Sequence, residues 1–203
     1  MQESVSPPGD LEGKTAQMNA DFRHDLKART QAEHDRVDAA LSALNLAVAP
    51  DFIRFLSLHR ACFGAMVQAC THGSAMQDTL NDICTRIDDD LHTLGAPPVA
   101  SLPVDLGRVD PLALDYMLEG SRLGSKVLRR AWVQSDDVVV RKAGRYFATP
   151  APVERWRAVC AKLSDIDADS PRAACIVADA KRLFGLFTFA PVVRDDRPVR
   201  QAV

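Results

Sequence analysis

From residue 22 to residue 189 the apolar residues of this chain recur at steps of three and four, and strict alternation is scarce. Side chains at those steps share one face of a helix, so the pattern dictates an all-α fold. With 203 residues and no composition break that would mark a linker, the chain reads as one domain with a sizeable core. An apolar fraction of 47% and a formal charge of -2 describe an ordinary soluble protein and give no electrostatic case for nucleic acid.

The ends differ from the middle. Residues 1–20 are polar and contain Pro7, Pro8, Gly9 and Gly13, which predicts a disordered N-terminal tail. Residues 191–203, with the charged run Arg194-Asp195-Asp196-Arg197, predict a flexible C-terminal tail, leaving 21–190 as the helical domain. No apolar run is long enough for a signal peptide or a membrane span, so no membrane partner is expected. Five cysteines without a Cys-x-x-Cys pair predict reduced, buried thiols and a cytoplasmic setting rather than a disulfide framework.

Caps and breakers divide the helical stretch. A first helix is expected from Phe22 to Leu44, with Leu26, Thr30, His34, Val37 and Leu41 on its inward stripe. Pro50-Asp51 opens a second, which carries Phe52, Phe55, His59, Phe63 and Met66 inward and ends at His72-Gly73. A third covers Met76 to Leu94, where Gly95 and the pair Pro97-Pro98 stop it, and the stretch from Ala96 to Val109 is a loop. Asp110-Pro111 begins a fourth that runs to Val133 and is apolar on more than one side, as a central helix would be. Val138-Val139-Val140 reads as a turn or short helix, since a lone strand has no partner. Helices from Pro152 to Leu163 and from Ser170 to Phe189 complete the order.

The fourth helix carries Gly120 and Gly124 in its interior. Each glycine there costs roughly 1 kcal/mol relative to alanine, and positions four apart open the same face. Something must lie against that bare backbone, and it is either another helix or a ligand.

Two segments carry a family likeness. Leu26-Lys27-Ala28-Arg29-Thr30-Gln31-Ala32-Glu33-His34-Asp35-Arg36-Val37-Asp38 resembles the proximal-histidine helix of heme oxygenases. Tyr116-Met117-Leu118-Glu119-Gly120-Ser121-Arg122-Leu123-Gly124 resembles the distal helix of their bacterial, biliverdin-producing branch, and the two stand in the family's order. Trp156 and the run Ala180-Lys181-Arg182-Leu183-Phe184 extend the likeness to roughly residues 20–190.

The resemblance implies a helical bundle with heme sandwiched between the first helix and the glycine-bearing one, heme being both substrate and cofactor. His34 would be the axial ligand of the heme iron, and no second metal is expected. Gly120, Ser121, Gly124 and Ser125 would form the distal side, where the crowded backbone steers oxygen toward a meso carbon. Lys27, two turns before His34 on the same face, would meet a heme propionate, with Tyr116, Arg122 and Arg182 as further heme contacts. The products would be biliverdin, iron and carbon monoxide. No dinucleotide, flavin or iron-sulfur motif is present, so electrons would come from a ferredoxin or an NAD(P)H-dependent reductase. A bilin-accepting photoreceptor is a further candidate partner.

The likeness has two departures. Ser125 stands where the family often has a further glycine, and Ser121 stands where mammalian-type members carry an aspartate that organises water. A heme- or bilin-binding protein of the same fold without turnover is therefore the alternative. A phosphotransfer domain with His34 as acceptor is disfavoured by the inward stripe, and a di-iron bundle by the absence of any Glu-x-x-His pair. His59 shares the inner face of its helix, as a core histidine bonded to a carbonyl or as a competing ligand.

Overall fold

Polar side chains at the breaks in the pattern set the helix starts. In the computed structural model, which describes residues 21–148 and 153–189, the Asp21 carboxylate accepts from Arg23 N at 3.1 Å and opens α1, Phe22–Ser42. Pro50 lies in the first turn of α2, Ala49–Ala69, where a missing N–H costs nothing. Ser74 caps α3, Ala75–Thr93, which Gly95 ends at φ +69° as the Ala96 N–H reaches back to the Leu91 carbonyl at 2.9 Å. Asp110 caps α4, Pro111–Val133, and Asp137 caps the five-residue α5, Val138–Lys142. The short α6, Arg145–Ala148, had no signal in the pattern; α7, Val153–Ser164, and α8, Pro171–Phe189, follow. The expected tails, and the helix start expected at Pro152, lie outside the described residues.

Among the described residues there are eight helices and no strand, so the all-α class holds. α2 packs along α3, and α8 lies against α1, α4 and α2. α7 covers α4, and α6 sits on α3. The core is rich in aromatics: Phe22, Phe52, Phe55 and Phe63 are fully buried, with Phe52 and Phe147 stacked at 5.8 Å. α2 is the innermost helix. The expectation of a central α4 holds for its first half only, because Leu118 is inaccessible while Val127 is 65% exposed.

No helix of the described residues is long and apolar enough to cross a membrane. The cysteines are free, and Cys62, Cys84 and Cys160 are buried as expected. Cys70 is half-buried and Cys175 exposed, because the helical stripe turns each of them away from the core's centre.

One buried carboxylate joins distant parts of the chain. Asp90, with no exposed surface, accepts the backbone N–H groups of Arg145 at 2.9 Å and Tyr146 at 2.8 Å, the donors that open α6. Burial holds its carboxyl above the ordinary value, and the two N–H bonds oppose that rise. Replacing Asp90 with Ala should cost roughly 2–3 kcal/mol in urea unfolding, since two buried donors lose their acceptor, and Asp90→Asn should recover part of it.

Candidate functional site

The wedge of α8 between α1 and α4 leaves a cleft of about 680 Å³, within the range of small-molecule and cofactor sites. One wall comes from α1 through Lys27, Thr30, His34 and Asp38. The opposite wall is α4, from Tyr116 through Gly120, Ser121, Gly124 and Ser125 to Leu128. Phe184 and Phe187 of α8, Trp156 of α7 and His59 of α2 fill the remaining sides.

The expected proximal and distal helices thus face each other across one space. His34, expected on an inward stripe, is half-open, with 48% of its side chain exposed, because the stripe turns into the cleft rather than into packed core. Its ring meets Phe184 edge-on at 5.7 Å, which fixes the ring from the α8 side. Nδ1 lies 3.3 Å from a carboxylate oxygen of Asp38, one turn onward. That charge draws the imidazole proton to Nδ1 and leaves Nε2 as the lone-pair nitrogen.

The α4 wall answers the question raised by the glycine pair. A Cβ built on Gly124 would meet nothing within 4 Å, and one on Gly120 would meet only Trp156 Cζ3 at 3.8 Å, an ordinary contact. By contrast, a Cβ on Gly144 would stand 2.5 Å from the indole of Trp132, which is what a glycine required by packing looks like. Gly120 and Gly124 are therefore not close-packing glycines in this chain. They strip side chains from the wall of a cavity, and replacing Gly124 by Ala should raise stability by about 0.5–1 kcal/mol in chemical unfolding. A loss of stability would mean that another helix claims the gap.

Of the other expected contacts, Lys27 and Tyr116 line the cleft. The Tyr116 ring lies 5.7 Å from Trp156, and its hydroxyl is raised above its ordinary value by burial, with a hydrogen bond to Thr30 in opposition. Arg122 and Arg182 do not line the cleft. Arg122 is buried and donates to both carboxylate oxygens of Glu119, at 3.0 and 3.2 Å. Arg182 donates to the Leu106 carbonyl at 2.8 Å and the Arg108 carbonyl at 3.3 Å, tying the loop before α4 to α8. Asp179, its ion-pair partner, accepts from Asp110 N at 2.7 Å. Both arginines pair with carboxylates three residues earlier on their own helices, within the reach that helical spacing gives.

His59 is the core histidine, and it also borders the cleft. Nδ1 lies 2.8 Å from the Phe55 carbonyl, which can only accept, so this nitrogen carries the proton. Phe55, Phe63, Tyr146 and Phe187 surround the ring, and burial pushes its pKa down to about 4, the Phe55 bond opposing that shift. Between pH 6.5 and about 4 the unfolded chain binds a proton that the folded chain does not, so stability rises with pH across this window. Acidification through it should remove about 3 kcal/mol, and His59→Gln should flatten that part of the stability profile measured by urea unfolding.

A further polar group escaped the sequence reading. Ser125 Oγ lies 3.0 Å from the Ser121 carbonyl and 2.9 Å from the hydroxyl of Tyr146, which stands on α6 behind the α4 wall. No periodicity links α6 to α4; only the aromatic character of Tyr146 beside Phe147 was available as a signal.

Among the described residues no group of three or more His, Cys, Asp or Glu is placed to hold a metal ion. The half-open imidazole of His34 in an apolar cleft, with the buried His59 bonded to the Phe55 carbonyl, suits a metal that arrives with most of its ligands already in place. Comparison of the chain with family models, with curated proteins and with solved structures finds no match.

Proposed function

We propose that the cleft binds heme between α1 and α4 and that the protein is a heme oxygenase, cleaving heme to biliverdin, iron and carbon monoxide. The observation that carries this reading is the side-chain-free stretch at Gly120 and Gly124, opposite a lone-pair imidazole across an apolar cleft of about 680 Å³. Packing does not account for the glycines, and a flat macrocycle held by His34 does. The iron would supply oxygen activation, with electrons from a separate ferredoxin or reductase.

The chain's own residues divide the work. His34 Nε2 would hold the iron, with Asp38 beside Nδ1 favouring the proton there. Lys27, at the rim, offers an ammonium to a propionate. Phe184, Phe187 and Trp156 would keep water from the bound group. The bare backbone of α4 would leave room for a small ligand beside the bound group, which a larger side chain at either glycine would crowd.

Hemin titration should produce a Soret band with a histidine-ligated spectrum, and His34→Ala should abolish that ligation while leaving the far-ultraviolet helical signal intact. With ascorbate or a reductase the Soret band should fade as a bilin absorbance grows. A stable band under reduction and oxygen would assign the chain to heme storage or transfer, and retention of histidine ligation in His34→Ala would move the ligand role to another residue.

A further inference from the structure

One polar side chain of the cleft is not explained by packing. His59 is 2% exposed and sits among the rings of Phe55, Phe63, Tyr146 and Phe187 where α2 borders the cleft. A leucine or phenylalanine would fill that place with no polar atom to satisfy. The Phe55 carbonyl holds the ring proton on Nδ1 at 2.8 Å, so Nε2 carries a lone pair and can only accept. Among the described residues nothing donates to it. A buried acceptor left unpaired costs about 1–3 kcal/mol, and native chains rarely carry that cost without a use. With Nδ1 tied back to Phe55 one turn earlier on α2, the free edge of the ring carries Nε2, and the cleft is the open space that the ring borders.

The missing partner must be a donor. Heme offers none at its pyrrole nitrogens, which are all bound to iron, and its propionates are anions that accept. An open-chain tetrapyrrole differs, because once the iron has gone its ring nitrogens carry N–H groups. We propose that His59 tells product from substrate in the cleft, its Nε2 accepting an N–H of the open-chain tetrapyrrole and so retaining the bilin after the iron has left. Burial keeps the imidazole neutral down to about pH 4, so the acceptor persists across the range in which a cell works. The class of ligand rests on the heme reading; the unpaired acceptor does not.

Biliverdin and hemin titrated in parallel give the test. His59→Phe, which keeps an aromatic ring in the cluster, should weaken biliverdin binding by about five-fold, the worth of one hydrogen bond, and leave the affinity and the Soret band of hemin unchanged. His59→Gln, whose amide oxygen accepts, should keep part of the biliverdin affinity. An equal loss for both ligands would make His59 a packing residue, a shifted Soret band would make it an iron ligand, and an unchanged biliverdin affinity would leave Nε2 without a ligand. Each of these overturns the role.

The unaltered chain gives a second reading, which carries the test if His59→Phe does not fold. Of its five histidines, His59 is recognised by nitrogen magnetic resonance as the one that stays neutral to about pH 4. Its Nε2 resonance should move upfield when biliverdin is added, as an acceptor's does on gaining a hydrogen bond. A resonance already in that position in the free protein, and unmoved by biliverdin, would mean that a water satisfies Nε2, and overturns the role. Biliverdin held through His59 by a chain that takes up no hemin would overturn the heme oxygenase reading and leave the bilin contact standing. Hemin turnover with a biliverdin affinity indifferent to His59 would do the reverse.

Discussion

The seating of α8 between α1 and α4 is the constraint on which the cleft depends. Ala180, Leu183, Phe184 and Phe187 are buried along this helix, and those toward the cleft keep the two walls from collapsing onto each other. Burial of one such aromatic contributes about 2–3 kcal/mol. The same helix anchors the beginning of α4 through Asp179 and Arg182, so wall spacing and wall orientation have a common source. A change in how α8 sits would alter both at once.

The polar groups around the cleft fall into two sets with different physical work. Glu119 with Arg122, and Asp179 with Arg182, are ion pairs that hold helices and loops in register. Glu119 also has Arg155 at 3.6 Å, so removing Arg122 leaves the buried carboxylate with an exposed partner in place of a buried one. His34, Ser125 and Tyr146 are donors and acceptors whose directions are set by a carboxylate, a carbonyl or one another. The first set shapes the cleft, and the second decides what its surface offers.

Features set within one helix were legible in the sequence. Lys27 and His34 share a face because they are two turns apart, and Gly120 and Gly124 because they are one turn apart; both pairs line the cleft. The all-helical class and most helix starts follow from the same local geometry and from Asp, Ser and Pro at the breaks. Partner choice was left open. Arg122 and Arg182 carry charges that suit a propionate as well as a carboxylate, although Glu119 and Asp179 stand three residues away on the same helices. Tyr146 lay hidden for a related reason, since α6 has four residues and too short a run to show a period. The exposure of the outer half of α4 depends likewise on which elements cover it, and nothing in its own sequence states that.

An open cleft lined by Phe184, Phe187 and Trp156 also couples occupancy to survival of the fold. Whatever binds only the folded chain stabilises it by mass action, adding about 2.7 kcal/mol when the free ligand exceeds its Kd a hundred-fold. The glycines that clear the wall make the empty state less stable than an alanine helix would be, and so enlarge the share of stability that the ligand supplies. In a cell, where unfolded chains are removed by proteases, the amount of this protein would then track the supply of its ligand.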